Sequence, residues 1–266
     1  LDILSCTKTK IGQITLPKQF EEEIRPDIIK RNVLAIQAGK RQPYGAYKLA
    51  GKRASAEVSR RRREYRGSYG IGISRVPRKV LSRRGTRMNW VGAFAPGTVG
   101  GRRAHPPKAE KILDKKINKK EKRKAIRSAI TATINKEYVE NRGHIIPDNY
   151  PFVVESIFEL TDKTSQAREI LQKLGLKDEL KRIEKRKIRA GKGKLRGRKY
   201  KTKKGLLLVV SEDCKLSKAM ANIPGIEVCN VKSLNTEILA PGALPGRLTI
   251  FTDKSIKMLE EKKLFV

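Results

Sequence analysis

Apolar and polar positions follow one rule at the ends of this chain and another in its middle. From residue 205 onward the order is regular. Leu206-Leu207-Leu208-Val209-Val210 is an unbroken apolar run, the pattern of a strand buried on both faces. A helix over 216–222 follows, then a strand over 226–231 after the Pro224-Gly225 turn and another over 248–251. Asp253 is expected to cap a last helix carrying Ile256, Leu259 and Glu260. At the other end, residues 1–7 and 13–16 read as short strands joined by a Lys-rich turn around Gly12. Pro26-Asp27 opens a helix in which Ile29, Val33 and Ile36 recur at helical spacing up to Gly39.

Past residue 110 the helical period returns. Ile126, Ile130 and Ile134, with Ala129, Thr133 and Tyr138, predict one helix over 118–141 ended by Gly143. Residues 151–157 read as a strand, and Thr164 as the cap of a helix that carries Ala167, Ile170, Leu171 and Leu174 and closes at Gly175. Strands alternating with helices predict an α/β fold whose parallel sheet is covered by helices on both faces. Residues 1–39 and 111–266 are expected to form it.

Residues 40–110 break the pattern, because their aliphatic side chains show neither a period of 2 nor one of 3.6. They hold ten of the 21 glycines and six of the 14 aromatics, namely Tyr44, Tyr47, Tyr65, Tyr69, Trp90 and Phe94. A stretch of this length without an apolar period is expected to be a long non-globular basic loop inserted in the α/β domain, disordered or ordered by a partner. A flexible basic linker is the plainer reading, and the interleaved aromatics argue against it, since such rings stack on bases.

Charge sharpens this division. Lys and Arg number 62 against 27 acidic residues, a net of +35. Residues 1–39 and 205–266 each carry +1, whereas 40–110 carry +16 and 111–204 carry +17. Such an excess has no internal partner, so the chain is expected to meet a polyanion, either nucleic acid or an acidic membrane surface. No run approaches the ~18 apolar residues of a membrane span, and residues 1–10 lack the layout of a signal peptide. Cys6, Cys214 and Cys229 fit neither a disulfide framework nor a metal site, which points to a reducing, cytoplasmic setting.

Candidate RNA contacts cluster in both basic regions. In the first, Arg53, the run Arg60-Arg61-Arg62-Arg63, and Arg83, Arg84 and Arg87 supply guanidinium forks that match phosphate geometry, and Trp90 offers a stacking face. The second, residues 177–204, holds 15 basic and 3 acidic residues. Its first part, 180–188, has a helical pattern, for which a solvated charged face is the plainer reading. Its glycine-interrupted second part is expected to lay Lys192, Lys194, Arg196, Arg198, Lys199 and Tyr200 along a nucleic-acid backbone.

Catalytic signatures are weak. No G-x-G-x-x-G follows a strand, and no G-x-x-x-x-G-K-[ST] loop exists. His105 stands among cations, a poor setting for a general base, and His144 after Gly143 reads as a capping or surface residue. Glu21-Glu22-Glu23 precedes a helix, where acids are favoured. Cys214 and Cys229 read as small buried residues beside strands. No catalytic residue, metal ligand or cofactor is assigned.

Longer motifs carry a resemblance. Val99-Gly100-Gly101-Arg102-Arg103-Ala104-His105-Pro106-Pro107-Lys108-Ala109-Glu110-Lys111 comes first, then Ala190-Gly191-Lys192-Gly193 with Arg196-Gly197-Arg198-Lys199-Tyr200. Val231, Asn235-Thr236-Glu237, Leu239-Ala240-Pro241-Gly242, Pro245-Gly246-Arg247-Leu248-Thr249 and Phe251-Thr252 follow. In this order they resemble the large-subunit ribosomal protein L-four family (universal uL-four), archaeal/eukaryotic type, over essentially the whole chain. The resemblance implies a non-enzymatic structural protein of the cytoplasmic ribosome, with no cofactor, no membrane and no homo-oligomer. It implies an α/β domain and a loop threading through large-subunit rRNA to the nascent-peptide exit tunnel, beside a neighbouring large-subunit ribosomal protein. Gly100, Gly101, Arg102, Arg103, His105 and Lys108 are then rRNA-binding candidates. For an antiparallel excursion from about 40 to 108 the midpoint lies near residue 74. The tip, next to the nascent polypeptide, is therefore expected at Arg66, Gly67, Ser68, Tyr69, Gly70 and on to Arg75. A free regulatory RNA-binding protein and an RNA-modifying enzyme are the alternatives.

Overall fold

A computed structural model describes all 266 residues. β1 (Asp2–Leu4) and β2 (Lys10–Gln13) pair antiparallel. Gly12 is not in the turn between them, for it pairs with Ile3 inside β2. The turn is built by hydroxyls: Ser5 Oγ accepts from the amides of Thr7 and Thr9 at 3.2 and 3.1 Å, and Lys8 takes a φ of 71°. α1 (Pro26–Gly39) opens on proline at its first turn, where a missing N–H costs nothing. β3 (Arg78–Arg84) and β4 (Arg87–Gly92) follow, then α2 (Lys119–Ile134) and α3 (Lys136–Asn141). The single helix expected over 118–141 breaks at Asn135, which is extended at φ −76° and ψ 116°; its side chain caps α3 by accepting from the Glu137 amide at 3.0 Å.

β5 is only Val153–Val154, shorter than the expected 151–157, because the chain turns into a 3-10 helix over Ser156–Leu160. α4 (Thr164–Leu171) is preceded by Lys163 without a side-chain cap, so Thr164 is its first residue rather than its cap. Gly175, at φ 92°, bends the chain into α5 (Lys177–Glu184). β6 (Lys187–Ile188), β7 (Tyr200–Lys201), β8 (Leu207–Val210), α6 (Lys215–Met220), β9 (Glu227–Asn230), α7 (Thr236–Leu239), β10 (Thr249–Thr252) and α8 (Asp253–Glu261) complete the chain. Thr252, not Asp253, caps α8, accepting from the Ser255 amide at 3.3 Å.

The chain divides into two compact units, Leu1–Lys40 with Asp114–Val266, and Arg41–Leu113. The first is a mixed α/β body around a six-stranded sheet of order β2-β1-β5-β10-β8-β9, parallel except for the β1–β2 pair. Side-chain alternation divides the sheet between two cores. Leu206, Leu208, Val210, Val154 and Ile250 face one, which α4, α5 and α6 cover through Ala167, Leu171, Leu180, Ile183, Leu216 and Met220. Leu207, Val209, Val153 and Phe251 face the other, covered by α1, α2 and α8 through Ile29, Val33, Ile126, Ile130, Ile256 and Leu259. Strands buried on both sides have no solvent face to carry polar residues, so β8 reads as a continuous apolar run.

Two buried ionic locks tie the body together. Glu179 on α5 is 1% exposed and accepts from His144 Nδ1 at 2.8 Å, the Ile145 amide at 3.1 Å, and Arg182 Nε and Nη2 at 2.6 Å each. His144 is thus a core residue and not the surface or capping residue its place after Gly143 led one to expect. Burial holds its ring below the ordinary histidine range, against the pull of the Glu179 carboxylate. Burial alone would raise the Glu179 carboxyl, but bonds from Arg182, His144 and Ile145 hold it low. A neutral imidazole therefore donates to the carboxylate, and Arg182 supplies the countercharge. In the second lock Arg247 is fully buried and donates to Glu227 at 2.6 Å, to Gly205 O at 2.9 Å and to Ile238 O at 2.9 Å. Nearby, Arg142 bonds the carbonyls of Pro241 and Leu244. Desolvation, with Arg247 and Arg182 adding like charge, pushes its guanidinium down to about 10. The motif over 235–247 is accounted for by this locking together with Asn235, which caps α7 by accepting from Ile238 N at 2.9 Å.

Candidate nucleic-acid interface

Within the Arg41–Leu113 unit only Ser68, Arg78 and Ala93 are buried, so it holds no apolar core. What orders it locally is backbone pairing and cations laid on aromatic rings. β3 and β4 form an antiparallel hairpin with Arg84 opposite Arg87 at its end. This corrects the expectation of no period: Met88, Trp90 and Gly92 of β4 are half-buried between exposed neighbours. Arg78 organises the base of the hairpin. It donates to Ser74 O at 2.5 Å and Ser74 Oγ at 2.9 Å and lies 5.4 Å from the centre of the Trp90 ring.

The same device recurs. Arg53 covers Tyr47 at 4.5 Å, Arg75 covers Tyr69 at 4.6 Å, and Arg66 and Arg83 share Tyr65 at 5.3 and 5.0 Å. Among the expected tip residues, Ser68 is buried, Arg66 is half-buried and bound to Glu57 at 2.9 Å, and Gly67 bridges to Ser59. Tyr69, Gly70 and Arg75 are exposed.

The unit's three carboxylates are each taken by one cation. Besides Glu57, Glu64 meets Arg61 at 3.4 Å and Glu110 meets Lys48 at 3.2 Å. The other cations have no carboxylate, including the exposed Arg53, Arg60, Arg62, Arg63, Arg83, Arg84, Arg87, Arg103 and Lys108 and the half-buried Arg102. His105 is exposed in their midst. Gly100 has a φ of 71°, and Gly101 folds against Thr98, donating to its carbonyl at 3.0 Å.

A second basic surface belongs to the body. β6 and β7 pair antiparallel and enclose a loop of residues 189–199 with a short 3-10 turn over Lys192–Arg196. Gly191 and Gly197, at φ 79° and 74°, fix the two bends. Inside the loop Arg189 donates to Arg198 O at 3.0 Å and its amide to Lys199 O at 2.8 Å, so Arg198 and Lys199 are held by their backbones, and the Lys199 ammonium lies 5.5 Å from the centre of the Tyr200 ring. Lys192, Lys194, Arg196, Arg198, Lys199 and Tyr200 are all exposed, and residues 185–203 contain no acid. In the first part of this tract α5 keeps a solvated charged face with Lys177, Asp178, Lys181 and Glu184 exposed, while Glu179, Leu180 and Ile183 are buried, and the helix ends at Glu184, short of the expected 188. Arg182 reaches from the Glu179 lock to Lys204 O at 3.0 Å and pins the end of the tract.

Sequence reasoning overlooked Arg78, whose hairpin role is signalled only by its register with Gly92, and Arg41; it named Tyr44 among the stacking rings and Lys111 in a motif, but not the cavity that these share with Arg41, Arg103, His105 and Lys108. Ligands of open α/β sheets dock beyond the carboxyl ends of the strands. There the buried Glu159 carboxylate accepts from Ser211 N at 3.0 Å, Ser211 Oγ at 2.7 Å and Thr252 Oγ1 at 2.6 Å, cross-tying β8 and β10.

An α/β body with one carboxylate-free basic loop, together in one chain with a coreless unit rich in arginine and glycine, defines a nucleic-acid-binding scaffold protein. Comparison with known proteins makes the class specific. The ribosomal protein L4/L1 family matches residues 14–262, and the chain belongs to that family. It is 52% identical over 258 residues to the large ribosomal subunit protein uL4 of Nanoarchaeum equitans, covering 97% of this chain and 96% of that one. Its identity to the protein of that name from Methanosphaera stadtmanae is 47%, over 93% and 91% of the two chains. For that of Archaeoglobus fulgidus it is 46%, over 94% and 93%.

Proposed function

We infer that this chain is a structural constituent of the large ribosomal subunit of the archaeal type, bound to large-subunit rRNA and neighbouring ribosomal proteins in the cytoplasm. Membership of the L4/L1 family along nearly the whole chain carries this reading, and the charge distribution supports it. The protein is a scaffold and not an enzyme. No helix is long and apolar enough to cross a membrane, and the polyanion that the family supplies is RNA. Lys and Arg displace counterions from phosphates as they bind, so affinity is salt-dependent. Fixing a backbone costs roughly 1–2 kcal/mol per residue. A unit with three buried side chains offsets little of that by itself, so its final order is acquired on RNA.

The inserted residues 40–110 act as an rRNA-binding loop whose far part lines the nascent-peptide exit tunnel. Within it the segment from Arg66 to Arg75 faces the emerging peptide, with Tyr69 and Arg75, a ring under a guanidinium, as its exposed surface. A photoreactive residue at position 69 is expected to crosslink to a stalled nascent chain. Crosslinks arising only from positions 88–95, around Trp90, would place the tunnel wall on β4 instead.

A further inference from the structure

The two arms of the basic unit, residues 41–53 and 101–113, pass each other with almost no side chain between their backbones. A Cβ at Gly45 would stand 2.5 Å from the Ala109 amide nitrogen, and one at Gly51, itself at φ +73°, would stand 2.5 Å from that of Arg102. The Ala46 amide donates to Pro107 O at 3.0 Å. Pinned in this way, the arms border a half-open cavity of about 680 Å³ whose polar lining includes Arg41, Tyr44, Arg103, His105, Lys108 and Lys111. The one carboxylate at its wall, Glu110, is bound to Lys48 at 3.2 Å. Pro43, Pro106 and Pro107 form much of the rest, with fixed backbones and no N–H to satisfy.

Tyr44 differs from the other tyrosines of the unit. Tyr47, Tyr65 and Tyr69 each carry a guanidinium over the ring, whereas Tyr44 has none and is 68% exposed. A bare aromatic face thus stands in a pocket with four cations. We propose that this cavity takes one unpaired RNA nucleotide, its base stacked on Tyr44 and its phosphate held by Arg103 and Lys108. The size falls within the ~300–1,000 Å³ of pockets that enclose a small ligand. Duplex RNA keeps its base faces stacked, so only an unstacked nucleotide presents a face to the ring. An acidic peptide would use the cations and leave the ring without a role.

The proposal rests on the RNA-binding reading, and the test separates the two. The full chain is titrated with a mixed-sequence single-stranded oligoribonucleotide and with a duplex of the same composition. Tyr44→Ala is expected to weaken single-strand binding by on the order of tenfold, as loss of one base–aromatic stack does, with the salt slope and duplex binding unchanged. Tyr44→Phe should bind as the parent does, and Arg103→Ala should lower the salt slope by about one. Unchanged single-strand binding by Tyr44→Ala, or an equal loss on duplex, would overturn the site. So would polyglutamate that displaces the RNA and itself binds more weakly to Tyr44→Ala. Failure of the unsubstituted chain to bind either RNA would overturn the RNA-binding reading itself.

Discussion

Glu179→Gln is expected to lower the stability of the body by about 3 kcal/mol at neutral pH, the scale on which removing one partner of a buried ion pair acts. At about 2–4 °C per kcal/mol for a domain of this size, the melting temperature should fall by roughly 6–12 °C. The amide keeps the shape of the side chain but leaves the half-buried Arg182 without its countercharge and weakens the bond from His144. pH provides a second check. The Glu179 carboxyl is held below its ordinary 4.5, so its contribution is present above that value and fades as pH falls through the lower, folded-state value. His144 acts in the same direction one step earlier. Its ring is held below the ordinary 6.5, so the unfolded chain takes up a proton first and stability declines as pH drops below 6.5. Melting followed from pH 8 to about pH 2 should therefore show the gap between parent and variant narrowing only below pH 4.5. A gap constant across that range would mean that the charge of Glu179 does not hold the lock.

The second large effect concerns the basic loop of the body. Changing Arg196, Arg198 and Lys199 together to Ala should reduce rRNA affinity by on the order of 100-fold at low salt and lower the salt slope by about 2 to 3. The melting temperature should hardly move, because these side chains are exposed and the loop is shaped by backbone bonds and by Gly191 and Gly197. An unchanged salt slope, measured by RNA titration across a salt series, would mean that the three side chains are merely solvated.

The parallel sheet was legible because strands buried on both faces are written as unbroken apolar runs, as in Leu206 to Val210. The stop at Gly175 was legible because few other residues take the left-handed turn that ends a helix so readily. The break at Asn135 was hidden, since the isoleucine spacing runs right up to it and the interruption comes from a side-chain cap. The β3–β4 hairpin was hidden for a different reason. Its inward residues are of mixed kinds, Arg78 over Trp90 with Val80, Met88 and Gly92, so no aliphatic period marks it. The burial of His144 depends on Glu179, 35 residues away, a pairing that no local pattern records. At the interface, the identity of the exposed cations could be read from runs of Arg and Lys without acids. The bare ring of Tyr44 could not, because it is defined by what does not cover it.

Co-sedimentation of the full chain with large ribosomal subunits through a high-salt wash tests the central claim most directly. A constituent held by many phosphate contacts along two basic surfaces is expected to stay in the large-subunit fraction, at one copy per particle. Release into the free-protein fraction, as expected of a regulator or modifying enzyme that visits its RNA, would contradict the account.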